Sequence, residues 1–161
     1  MKMLRNTHLV LLVTLTFAAV AFAQRAAVDY PTDFRSWHHV KTGIIQPGHW
    51  LAEKFGGIHH IYANPAAMKG LNGGTYEIGA VLVFDLLEYV ESDLTITEAA
   101  RRRIDVMQYD PDKFGDTDGW GYDSFLKGSK TDRVEQDAVV ACYACHTSVA
   151  ESNFVFSKYR E

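Results

Sequence analysis

Hydrophobic and polar residues along the chain fall into short blocks whose period changes several times. Over residues 101–109 they alternate, with Ile104, Val106 and Gln108 on one side and Asp105, Met107 and Tyr109 on the other. That two-residue repeat predicts a strand with two unlike faces. Residues 80–87 form a nearly continuous apolar run behind Gly79, which predicts a strand covered on both faces and therefore central. Residues 38–45, 58–62 and 120–126 carry β-branched, aromatic and apolar members between turn formers such as Gln46-Pro47-Gly48 and Asn64-Pro65, and predict three further strands. Helical signals are fewer. Residues 31–37 predict a short helical turn, with Thr32 or Asp33 able to accept from its exposed amides. Asn64 as cap and Pro65 at the first helical position open a helix that Asn72-Gly73-Gly74 ends. Residues 134–149 predict the last helix. This order of elements predicts an α+β domain, an antiparallel β-sheet packed with a few helices.

The first residues read differently. Lys2 and Arg5 precede an apolar run from Leu9 to Val20, and Ala21-Phe22-Ala23 stands ahead of Gln24. This is the pattern of a signal peptide, residues 1–23, cleaved near Ala23. The run, interrupted by Thr14 and Thr16, falls short of the roughly 20 apolar residues a membrane span needs. Residues 24–161 are expected to form one exported domain, placed in a bacterial periplasm, with no membrane span after signal removal. The composition, 22% charged and 47% hydrophobic, excludes a disordered or fibrous chain. The formal net charge of −4 becomes more negative once Lys2 and Arg5 leave, which argues against a nucleic-acid or anionic-membrane partner.

The chemistry is concentrated near the end of the chain. Its 2 cysteines, Cys142 and Cys145, lie near the middle of the predicted last helix, and a bridge between them would close too small a loop to restrain the fold. With His146 they make Cys142-Tyr143-Ala144-Cys145-His146, the attachment sequence of a covalent haem c. Two thiols so spaced reach the two vinyl groups of one porphyrin edge, and the adjacent imidazole swings beneath the ring to the iron. Three other readings compete: a redox dithiol, a structural pair and half of a zinc site. A dithiol of the thioredoxin kind needs a strand and a helix N-terminus around it, and zinc needs two more ligands without a second cysteine pair to supply them. A monohaem cytochrome domain with Cys142 and Cys145 holding the haem and His146 as the metal ligand is the expected state.

Residues 147–161 contain neither methionine nor histidine, so a ligand-accessible iron is expected. The rival is an electron-transfer cytochrome with a sixth protein ligand. Met107 is a candidate, although filling core space is a simpler role for it. His38, His39, His49, His59 and His60 are others, for which solvent-facing or hydrogen-bonded imidazoles are the simpler reading. Asp110, Asp112, Asp116 and Asp118 ahead of Gly119 read as an acidic turn, because the bidentate glutamate of a calcium loop is missing.

Several segments in order, Tyr30-Pro31 with Phe34-Arg35-Ser36-Trp37, Ile61-Tyr62-Ala63-Asn64-Pro65, Gly79-Ala80-Val81-Leu82-Val83, Gly119-Trp120-Gly121 and Cys142 to His146, resemble the cytochrome P-460 family, which includes the sheet-rich cytochromes called c-prime-beta. The resemblance implies an antiparallel sheet with helices, a homodimer, proximal ligation by the motif histidine, and an open distal face for small nitrogen species such as NO or hydroxylamine. It also implies oxidoreductase activity or ligand binding, with an unnamed redox partner protein. Hydroxylamine-oxidising members carry a lysine cross-linked to the porphyrin where this chain has Phe84. Phenylalanine cannot form that bond, which places the chain nearer the c-prime-beta branch, where aromatic side chains crowd the iron. The resemblance thus implies a distal wall at Phe84, with Met107 beside it, and a distal proton carrier at Asp105. The structural alternative for Asp105 is a sheet-edge carboxylate paired with Arg101 or Arg103.

Overall fold

A computed structural model of the chain describes residues 27–134 and 138–160. Five strands, β1 (His38–Ile45), β2 (Gly57–Ala63), β3 (Val81–Ser92), β4 (Thr95–Tyr109) and β5 (Trp120–Leu126), make one sheet in chain order, each antiparallel to the next. The apolar run of β3 occupies the middle, as its pattern predicts. Helix α1 (Ala52–Phe55) joins β1 to β2, α2 (Pro65–Leu71) joins β2 to β3, and α3 (Ala138–His146) follows β5 and runs into a 3-10 segment, Thr147–Ser152. The α+β class is therefore as the sequence predicts. Among the described residues no helix is long and apolar enough to cross a membrane. The predicted signal peptide lies outside the described residues.

Four elements depart from the sequence pattern. Strands β3 and β4 run on into a two-stranded arm that turns at Asp93 (φ 49°) and Leu94 (φ 62°). Two left-handed residues make the hairpin turn whose twist matches its strands, but the arm has no apolar alternation to announce it. Helix α1, four residues long, is too short to show a helical period. The first turn shrinks to the 3-10 helix Phe34–Ser36, with Asp33 left-handed (φ 57°) and making no side-chain cap. There the Ser36 hydroxyl instead donates to the Asp33 carbonyl at 2.8 Å. The last helix is shorter than residues 134–149: the Val134 amide bonds the Ser124 carbonyl at 2.9 Å and prolongs pairing along β5, and Val149 has a non-helical backbone. Residues 135–137 lie outside the described residues. Asn64 behaves as predicted. Its Oδ1 accepts from the Ala67 amide at 2.9 Å and the Val81 amide at 3.1 Å, which ties the start of α2 to the start of β3.

The strand pleat sorts the sheet into two faces. One carries Tyr62, Val83, Ile104, Val106 and Phe125, closed over by Val28, Phe34 and Phe114, all buried. Asp85 shares that side, 0% exposed, with Arg101 bonding both its oxygens at 2.6 and 3.1 Å. The other face carries Ile61, Leu82, Met107 and Tyr122, and the C-terminal segment packs there through Cys142, Tyr143, Phe154 and Val155.

Candidate functional site at the C-terminal helix

Helix α3 lies against β5. Cys142 and Cys145 are three positions apart and so share a side of it. Cys142 is half-buried against the core, Cys145 is exposed, and neither is in a disulfide. His146 closes the helix. Its Nδ1 lies 2.6 Å from the Phe154 carbonyl oxygen. A carbonyl can only accept, so Nδ1–H donates and Nε2 keeps its lone pair. The ring is flanked by Tyr122 (centroids 5.1 Å apart) and Phe156 (4.9 Å). Burial pushes the His146 pKa down against the opposing pull of the Phe154 carbonyl, favouring the neutral imidazole that a metal binds. The Tyr122 hydroxyl, beside His146, is buried and has no hydrogen-bond partner among the described residues.

The same sheet face brings the predicted distal residues together. Register places Phe84, Asp105 and Ser124 in one line across β3, β4 and β5, and Met107 lies opposite both Leu82 and Tyr122. Phe84, Asp105 and Met107 are all half-buried. The structural partner expected for Asp105 is present: Arg103 donates to it from Nε at 3.0 Å and Nη2 at 2.9 Å, and the Ser124 hydroxyl donates to its other oxygen. Arg101 is committed elsewhere, to Asp85. Burial raises the Asp105 pKa, outweighing Arg103 and Ser124, which lower it. The carboxyl is therefore both ion-paired and able to hold a proton above the ordinary carboxylate range.

Two residues of this surface escaped the sequence pattern. Phe55 places its edge on Phe84 (5.8 Å) and lies under the Arg103 guanidinium (4.5 Å). His59 stacks on Phe84, ring centroids 4.6 Å apart and 15° from parallel. The solvent-facing or hydrogen-bonded reading holds for exposed His38, His39 and His49 and for His60; His59 departs from it, half-buried with a buried Nδ1 that no described residue bonds. Burial, with Lys41 and His60 adding to it, pushes its pKa down to about 4, so the ring is neutral. Gly43 stands opposite, and a Cβ there would come within 2.7 Å of the imidazole. Adjacent His60 faces the other way and meets Thr42 Oγ1 at 2.8 Å and Glu98 at 2.6 Å. The alternation of two neighbouring strand residues signals that one histidine faces each side; only the register says which. The aspartate-rich segment is an acidic turn in which Asp110 accepts from the Asp112 and Lys113 amides, while Asp118 accepts from the Tyr143 hydroxyl.

A helix presenting two thiols and an imidazole with a free Nε2, packed on one face of an antiparallel sheet, is the arrangement a sheet-based cytochrome requires. Residues 31–157 match the model of the Cytochrome P460 family, and the chain belongs to that family of haem proteins. No curated protein matches the chain. The residues present fit the group: unbridged thiols, an imidazole held in the ligating tautomer, and a buried tyrosine hydroxyl left without a partner beside them.

Proposed function

We propose that this chain is an exported, periplasmic c-type cytochrome that binds or converts small nitrogen species such as NO or hydroxylamine. In this reading Cys142 and Cys145 carry the haem, His146 holds the iron, and Phe84, Asp105 and Met107 line the open side. The observation that carries it is the register that sets Phe84, Asp105 and Met107 on the one sheet face against which the motif helix packs. Haem would supply an iron centre that takes up such ligands and exchanges electrons with them. The chain's own residues do the rest. Phe84, braced by the His59 stack and the Phe55 edge, is a rigid aromatic wall that excludes water and favours small apolar ligands. Asp105, positioned by Arg103 and Ser124, holds or releases a proton beside that wall. Without a lysine at position 84, the cross-linked chromophore is not formed. The redox partner is a separate protein. A homodimer is part of the reading, supported by the exposed Val90, Leu94 and Ile96 of the β3–β4 arm.

Spectra of the purified reduced protein with and without NO test the proposal. A c-type pyridine haemochrome, a high-spin Soret band and a shift on adding NO are expected. A colourless protein from a host competent in haem attachment would end the reading. A low-spin spectrum indifferent to NO would replace it with the electron carrier.

A further inference from the structure

The 3-10 segment Thr147–Ser152 ends in an unusual way. Asn153 (φ 53°) and Phe154 (φ 63°) are both left-handed, and neither is glycine. One such residue suffices to end a helix, and asparagine tolerates the role. The amides of Asn153 and Phe154 close the segment onto the Ala150 and Val149 carbonyls at 3.0 and 3.1 Å. Outside a hairpin turn such as that at Asp93 and Leu94, where strand twist favours two left-handed residues, a second left-handed residue bearing a bulky side chain is strained and persists only where its surroundings impose it. Here they do. Phe154 stacks on Tyr143 (5.8 Å, 26°), Val155 is buried in the core at 5% exposure, and Phe156 sets its edge on the His146 ring. The double turn also aims the Phe154 carbonyl at His146 Nδ1, 2.6 Å away.

We propose that Asn153 and Phe154 form a strained clasp that presents the Phe154 carbonyl to His146, fixing which imidazole nitrogen is left for the metal and how strongly that nitrogen donates. The inference rests on the reading that His146 binds the haem iron. Asn153 and Phe154 are positioning residues that act through His146. A hydrogen bond from Nδ1–H makes the ring a stronger donor, which strengthens the iron–imidazole bond and favours the oxidised metal. Tyr122 and Phe156, both in contact with the ring, restrict its orientation while the carbonyl holds its tautomer.

Two measurements test the clasp. The first uses the unaltered holoprotein: nuclear magnetic resonance of the His146 ring in the reduced, carbon monoxide-bound state. A proton on Nδ1 that exchanges slowly with water is expected; a proton that exchanges as fast as in free imidazole overturns the proposal. The second compares Asn153→Pro, whose ring fixes φ near −65° and breaks the turn, with Asn153→Gly, which keeps it. Asn153→Pro is expected to lower the iron–histidine stretching frequency and raise the midpoint potential, and Asn153→Gly to leave both unchanged. Haem-loaded Asn153→Pro with wild-type values overturns the clasp. If Asn153→Pro does not fold, the exchange measurement decides alone. Failure of the underlying reading is distinct: it appears as the absence of a haemochrome in the wild-type protein, in which the His146 tautomer remains measurable.

Discussion

On one side of the sheet Tyr62, Val83, Ile104, Val106 and Phe125 meet Val28, Phe34 and Phe114 and leave almost nothing exposed. The carboxylates placed there are paired: Asp85 through both oxygens with Arg101, and Asp123, opposite Val106 and itself raised in pKa by burial, with Arg133 at 3.4 Å. On the other side, alternate residues of the same strands give Phe84, Asp105 and Met107, all half-buried, and two buried polar atoms, His59 Nδ1 and Tyr122 Oη, that no described residue satisfies. Fully packed apolar layers with paired charges are how a domain of this size stabilises itself. Buried polar atoms left unsatisfied are features that stability alone does not favour, and such groups cluster where chemistry is done. The contrast separates a closed face that holds the fold from an open face to which the proposed activity is assigned.

The largest effect expected belongs to the open face. Replacing both Cys142 and Cys145 by alanine removes both sites of attachment, and the denatured protein should carry no haem by mass; retained covalent haem would refute the assignment of the thiols. On the closed face Phe125→Ala, at a side chain 0% exposed, should destabilise the protein by about 3–5 kcal/mol. NO affinity of the remaining folded fraction should be unchanged. Phe84→Ala should reverse the pattern, with a loss of about 1–2 kcal/mol because the ring is only half-buried and an altered NO affinity. Equal stability losses at the two positions, in denaturant titrations, would erase the distinction between the faces. Removing the buried carboxylate with Asp85→Ala should cost about 1–3 kcal/mol, since partly exposed Arg101 loses its hydrogen bonds, and should leave the visible spectrum intact.

Much of this contrast is legible in the sequence. The alternation over residues 101–109 separates Asp105 and Met107 from Ile104 and Val106, and the register then adds Phe84 and Ser124 to the same face. The haem motif is local and reads directly. What does not read is whatever depends on two distant segments meeting. Asp85 sits within an apolar run and looks like an interruption until Arg101 is seen beside it. His59 looks like a surface imidazole until Gly43 and Phe84 are placed on its two sides. The Phe154 carbonyl carries no side-chain signature, because the backbone turn alone makes it a partner for His146.

Asp105 offers a finer test of the open face through pH. Its pKa is raised above the ordinary value of 3.8 mainly by burial, so the folded protein binds the proton more tightly than the unfolded chain does. The carboxyl's contribution is therefore fully present below pH 3.8 and is lost as pH rises through the raised value. Asp105→Asn cannot ionise and lacks this loss. As pH is raised from the ordinary carboxylate range towards neutrality, the wild type should lose stability relative to Asp105→Asn in paired denaturant titrations. A difference that grows the other way would mean that the Arg103 ion pair outweighs burial and that Asp105 serves the fold.

The smallest effect expected is at His59, and its sign is opposite. Burial holds its pKa near 4, below the ordinary 6.5, so the unfolded chain binds the proton more readily. Stability tied to the neutral ring is present above pH 6.5 and is lost as pH falls from there towards 4. Half-exposure of the ring keeps the effect modest. His59→Gln should flatten that part of the stability profile while leaving the closed face and the haem content as they are. An unchanged slope between pH 6.5 and 4 would show that the imidazole reaches solvent and is not part of the wall. If the slope flattens and NO affinity moves with it, then Phe84 depends on the ring stacked behind it, and the open face reaches back to β1, where Gly43 leaves room for the imidazole.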